Sequence, residues 1–183
     1  MAARIPPGSR RQIGLVNAGL AGAIGWATGG RPPNIFLTLA RHRRLFRRWL
    51  WFAAALMPRG RLPREETELV ILRVAHNTGC DYEWGHHERL GRRAGLSADE
   101  IARVREGPAA SGWSERRSQL LAAADELHAS GEIGDELWKR LSAALSDVEL
   151  IELCMLVGHY EMLAMTLKTL RVEPDPLPGA GGG

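Results

Sequence analysis

The chain is expected to fold as an all-α domain. Three observations carry that expectation. No segment sustains the two-residue alternation of apolar and polar side chains that marks a half-buried strand. Apolar positions recur at the helical period along most of the chain. Proline, glycine and capping residues divide it into pieces of helix length. With 183 residues, 45% of them hydrophobic, the chain can bury a real core, as one domain or as a tight pair of helical halves.

The elements follow in order. Residues 10–28 form the first predicted helix. Pro32 and Pro33 interrupt, and Asn34 opens a second helix to about Leu56, with Ile35, Phe36, Leu39, Phe46, Trp49, Leu50 and Ala53 in helical register. Pro58 and Gly60 end it. Pro63 suits a first helical turn, and Glu65 and Glu66 follow where the positive dipole end favours acids. That helix runs to Gly79. The stretch GCDYEWGHHERLGRRAG, residues 79–95, is the next helix, closed by Gly95 as a left-handed cap. Ser97 with Glu100 makes a capping box for a short helix to about Arg105. Gly107, Pro108 and Gly112 mark a loop before a helix from Ser114 to about His128. Gly131 and Gly134 precede the helix DELWKRLSAAL. Ser146 with Glu149 repeats the capping box and opens a helix to about Leu170. Its middle, LIELCMLVGHYEMLAM, is apolar nearly all round. Such a helix in so small a chain is buried on several sides, with part of its surface covered by another subunit. The tail VEPDPLPGAGGG is expected to be disordered.

Composition narrows the function classes. The formal charge is +3, too small by itself to call for nucleic acid. Lysine occurs only at Lys139 and Lys168, so the basic residues are nearly all arginine. RHRRLFRRWLW, residues 41–51, reads as a helix with a solvated or salt-bridged Arg face and with Phe46, Trp49 and Leu50 turned inward. No nucleic-acid partner is expected. Cys80 and Cys154 stand 74 positions apart, which argues against a disulfide-stapled secreted domain and for a reduced, cytoplasmic setting. The apolar stretch at 13–30 is Gly-rich, contains Asn17 and falls short of the roughly 20 apolar residues of a bilayer span. No membrane partner is expected.

Residues 79–95 hold the chemistry. With Cys80 at zero on a helical wheel, Glu83 falls at about 300°, Trp84 at about 40° and His87 at about 340°. His86, at about 240°, lies on the flank. One face thus carries a thiol, a carboxylate, an imidazole and an indole. A Glu and a His one turn apart can exchange a proton or orient each other, and a Cys in a first turn meets amide N–H groups that favour its thiolate. The bland alternative is an amphipathic helix with its charges in water; Trp84 among the polar groups argues against it. Glu83-x-x-His86 is also half of a di-iron motif. No second copy accompanies it, Asp125-Glu126-Leu127-His128 being the nearest imitation, so no metal site is expected. His159 and Tyr160 lie in the apolar last helix, where they either line the same site or pair within the core. His76 is a weaker candidate.

The stretches from PNIFLTLARHRRLFRRWLWF through LPREETELVILRVAHNTGCDYEWGHHERLGRRAGLSADEI, and LSDVELIELCMLVGHYEMLAMTLKTLRVEP near the end, resemble the carboxymuconolactone decarboxylase family of the AhpD-like superfamily. The resemblance covers roughly residues 33–173. It implies three parts: an N-terminal helical extension (1–32), the family domain (33–173) and a tail (174–183). It also implies an AhpD-like bundle assembling as a homo-oligomer, whether dimer, trimer or hexamer. The peroxidase branch carries a Glu, a Cys twelve residues on, a second Cys three further and a His four beyond. Glu68, Cys80 and His87 match that pattern, whereas Glu83 replaces the second Cys. The redox pair is therefore broken, and two-cysteine peroxide reduction is not expected.

The decarboxylase branch implies proton transfer on a small carboxylated lactone. Catalytic roles then fall to His87 as the shuttling group, with Glu83, Glu68 and Cys80. Trp84, His86, Arg73, His159 and Tyr160 are candidates for contacting the small-molecule substrate. Arg73 is expected to pair with Glu68 or, failing that, to meet a substrate carboxylate. No cofactor is implied. Two alternatives stand beside this reading: a one-cysteine peroxidase using Cys80 with an external thiol, and a non-catalytic ligand-binding or scaffold protein.

Overall fold

The computed structural model describes residues 2–27 and 30–175. All regular structure among them is helical. The helices are α1 (Arg10–Ile13), α2 (Leu15–Ala27), α3 (Asn34–Leu39), α4 (Arg43–Leu56), α5 (Arg64–Asn77), α6 (Asp81–Ala94), α7 (Ala98–Val104), α8 (Glu115–Ser130), α9 (Asp135–Ala144) and α10 (Asp147–Leu170). The described part of the chain forms two compact units. One comprises Ala54–Met165; the other comprises the residues up to Ala53 together with those from Thr166 onward. The boundary between the two units falls inside α4. Most of the expected tail, residues 176–183, lies outside the described residues, as does residue 28.

The two long N-terminal helices expected from the pattern are each broken. Gly14, at φ 81°, turns the chain between α1 and α2; this left-handed region penalises any residue with a Cβ. The second helix stops at Leu39, and a tight turn follows, closed by Arg41 N–H to Thr38 O and His42 N–H to Leu39 O. The physical reason is aromatic packing. On one straight helix Phe36 and Trp49 would face nearly opposite ways. The turn folds α4 so that Phe36, Phe46 and Trp49 meet, with ring centroids 5.7–6.3 Å apart, beside buried Ile13 and Ala40.

In the larger unit, α5 is the central helix. From Glu66 to Ala75 only Arg73 escapes full burial. It packs against α6, α7 and α8. Leu69 and Leu72 join Leu96, Ile101, Val104 and Leu121 in one apolar cluster. A helix buried on all sides must pair its polar groups. Glu66 therefore receives Arg116 (2.8 and 2.9 Å), which also reaches Glu149 of α10 (3.0 Å). Arg73 clasps Asp125 of α8 through two bonds of 2.6 and 2.8 Å. Both expected capping boxes form, Ser97 with Glu100 and Ser146 with Glu149. Gly95 closes α6 in the left-handed conformation.

Candidate functional site

The turn between α5 and α6 builds the site. Thr78 Oγ1 donates to Val74 O at 2.8 Å, Cys80 N–H to Ala75 O at 2.9 Å, and Gly79 takes φ 60°. A residue with a Cβ is strained there. The chain reverses within three residues, and α6 packs against α5. His87 of α6 thus meets Glu68 of α5, its Nδ1 2.7 Å from Oε2.

Glu68 is fully buried and His87 only 4% exposed. Arg64 Nη2 lies 2.5 Å from Glu68 Oε1, an ion pair without hydrogen-bond alignment. The Arg64 side chain itself is partly in water. A carboxylate can only accept, so His87 carries its hydrogen on Nδ1 and leaves Nε2 as a lone pair. Burial pushes the His87 pKa down, against the opposing pull of Glu68. The imidazole is therefore neutral at neutral pH and able to act as a base.

Glu83 lies one turn before His87 and is 3% exposed, with no hydrogen-bond partner for either oxygen. Burial, then the nearby charge of Glu161, pushes its carboxyl up to about 8. At neutral pH it is a carboxylic acid able to donate. Tyr160 of α10 stands edge-on to the His87 ring, centroids 5.0 Å apart, and His159 stands edge-on to Tyr160 at 5.2 Å. Burial, with Glu68 and Glu83 near, pushes the Tyr160 phenol well up. Burial and His87 push His159 down to about 4. A base, an acid and two neutral polar rings are therefore buried together beside the Glu68–Arg64 ion pair.

The other residues singled out in the sequence are placed differently. Cys80 is buried as the N-terminal cap residue of α6. Trp84 turns to the apolar cluster of α7 and lies under the Arg105 guanidinium, 4.0 Å from its ring centroid. His76 approaches Trp84, at 6.4 Å between centroids, rather than His87. His86 stacks on Tyr82. The expected Arg73–Glu68 pair does not form. Arg73 holds Asp125 and Val104 O, because five residues along a helix turns it toward α8 and away from the Glu68 face. Asp125 also accepts from Asn77 and His128 meets Glu161, so the imitation di-iron motif is taken up by pairing. Sequence reasoning passes over Arg64, although its i, i+4 spacing to Glu68 is visible. It also misses Glu161, whose effect on Glu83 depends on how α10 packs.

Residues 43–126 match the model of the carboxymuconolactone decarboxylase family. No curated protein matches the chain. Solved structures do. The alkylhydroperoxidase AhpD core of an uncharacterized peroxidase-related protein from Ralstonia eutropha JMP134 superposes with TM-score 0.84 at 19% identity, over 94% of this chain and 92% of that one. A putative antioxidant defence protein AhpD from Agrobacterium tumefaciens gives 0.67 at 20% identity, over 72% and 91%. The debrominase Bmp8 gives 0.80 at 16% identity, over 93% and 91%; a Cys-to-Ala variant of it has been solved with 2,3,4-tribromopyrrole. At these identities the likeness establishes the fold. The chain thus has the AhpD-like all-α fold, and its segment 43–126 is similar to the carboxymuconolactone decarboxylase family.

Proposed function

We propose that the protein is an enzyme performing general acid–base chemistry, without a cofactor, on a small carbonyl or carboxylated compound, as a decarboxylase or isomerase. One observation carries the reading: a buried imidazole, fixed through Nδ1 by Glu68, lies one turn from a buried carboxyl that burial keeps protonated. In the reaction His87 Nε2 takes the proton α to a carbonyl while Glu83 donates its own to the carbonyl oxygen. The product is an enol, and reversal on another carbon completes an isomerisation. For a decarboxylation, loss of CO2 leaves the enolate that Glu83 protonates. Each such transfer contributes about 10²–10⁴ in rate. Tyr160 and His159 wall the site and hold no charge there. Two free cysteines suit a reducing, cytoplasmic setting.

Solvent exchange tests the proposal without knowledge of the substrate. In D2O, wild-type protein is incubated with a panel of lactones and keto acids, and deuterium uptake is followed by NMR. His87→Ala is expected to lower catalysed uptake by at least about 100-fold. Exchange that survives this substitution unchanged, or no catalysed exchange across the panel, removes the acid–base reading.

A second reading is favoured by the place of Cys80 at the head of α6, where amide N–H groups stabilise a thiolate. Its sulfur would attack the peroxide oxygen, break the O–O bond, release an alcohol or water and become a sulfenic acid, which an external thiol reduces. One equivalent of peroxide at neutral pH should then produce sulfenic acid on Cys80, detected by dimedone trapping. An unmodified Cys80 after that treatment removes the peroxidase reading.

A further inference from the structure

Charge is divided unevenly along the chain. Up to residue 64 there are twelve arginines and no acid. The smaller unit carries eleven of the 24 basic residues and only two of the 21 acids. Both acids are engaged: Asp175 accepts from Asn34 N–H at 2.7 Å and Glu173 from Ala3 N–H at 3.4 Å. Arg4, Arg41 and Arg43 hold backbone carbonyls. Arg44, Arg47 and Arg48 of α4 are exposed and make no ion pair among the described residues. Trp51, 71% exposed, lies with them inside about 100° of the helix wheel. The arginine face of residues 41–51 is thus solvated rather than salt-bridged.

The same unit holds α2, which has no charged residue. Its buried side consists of Asn17, Ala21 and Gly25. Its outer side is wholly apolar: Leu15, Val16, Leu20 and Trp26 stand out, Trp26 at 85% exposure, with Gly19 and Ala23 exposed among them. Arg10 and Arg11 precede this helix and Arg31 follows it, all three exposed.

We propose that the smaller unit binds the surface of a bilayer containing anionic phospholipid. The outer side of α2 enters the boundary between headgroups and acyl chains, while Arg10, Arg11, Arg31 and the α4 arginines hold lipid phosphates. Thirteen residues of helix reach about 20 Å, short of the roughly 30 Å hydrocarbon core. The shortness of this stretch argues against a span and not against a helix lying in the interface. Charge selects the occupant. A second copy seated by the same face would bring two strongly positive surfaces together. A nucleic acid would satisfy the arginines and leave Leu15, Val16, Leu20 and Trp26 in water. An acidic bilayer supplies phosphates and an apolar layer at once. This surface is independent of the acid–base reading of the buried site.

Co-sedimentation of the full chain with vesicles tests the proposal, with circular dichroism confirming that each variant is folded. One set of vesicles is pure phosphatidylcholine and the other also contains phosphatidylglycerol. The wild type should bind the anionic vesicles at least about tenfold more tightly, with affinity falling as salt rises. Arg47→Glu combined with Arg48→Glu should weaken that binding at least about tenfold. Trp26→Glu, at an exposed position, should weaken it by a similar factor. A wild type that binds neither vesicle, or binds both equally, overturns the proposal. Binding undiminished in Trp26→Glu overturns the insertion of α2. A wild type that ignores vesicles but binds duplex DNA through Arg47 and Arg48 gives the surface to nucleic acid instead. One that ignores vesicles and self-associates through Trp26 gives it to a second copy. Either result overturns the proposal.

Discussion

Glu83→Gln is expected to leave the protein more stable than the wild type at neutral pH and above. The carboxyl is pushed from an ordinary 4.5 up to about 8. Between those values the unfolded chain has released this proton while the folded chain still holds it. Wild-type stability therefore falls as pH rises through the window, by about 1.4 kcal/mol per unit, and levels off above about pH 8. The whole effect is bounded at about 5 kcal/mol. Glutamine cannot ionise, and it replaces a carboxyl that already has no hydrogen-bond partner, so it adds little cost of its own. Denaturant midpoints across the window should coincide for the two proteins at its acid end and separate steadily toward its basic end. Parallel profiles would mean that Glu83 is ionised in the folded state, and the acid in the proposed mechanism would be lost with it.

Removing the other acid has the opposite sign. Glu68→Ala takes away the hydrogen-bond partner of His87 Nδ1 and the ion-pair partner of Arg64. The imidazole N–H is then buried without an acceptor, and a gap opens in the centre of α5. Arg64 can turn to water, so most of the loss comes from the His87 side. The expected destabilisation is about 3 kcal/mol, measured by urea unfolding. The histidine itself supplies an independent readout. Glu68 raises the His87 pKa against the effect of burial, so NMR titration should find that pKa lower in the variant. An unchanged His87 titration would show that the two groups do not interact in solution.

The fold class and most helix boundaries were legible because caps and breakers are local. Ser97, Gly95 and Ser146 act through neighbours three or four residues away, and a linear string displays such neighbours directly. The failures share another cause. Gly14 and the turn after Leu39 cut two periodic stretches for the sake of contacts among Ile13, Phe36, Phe46 and Trp49, which periodicity within one helix does not reveal. In the site, the shared face of Glu83 and His87 could be read from a wheel. The Glu68–His87 bond could be reached only through family resemblance, since it depends on the angle set by the turn at Gly79. Arg73 illustrates the limit: its charge invited a pairing with Glu68, but its direction around α5 gave it to Asp125. Trp84 shows the same limit, sixty degrees of rotation being enough to carry it from the polar groups to the α7 cluster.

Cys80 caps α6 from a closed position, 2% exposed, at the same corner of the chain that aligns His87 with Glu68. Any motion that admits a molecule to these groups by loosening this corner must also uncover the sulfur. The protein therefore carries a native reporter of its own breathing: the pace at which an alkylating reagent reaches this thiol sets an upper limit on how often that doorway stands ajar.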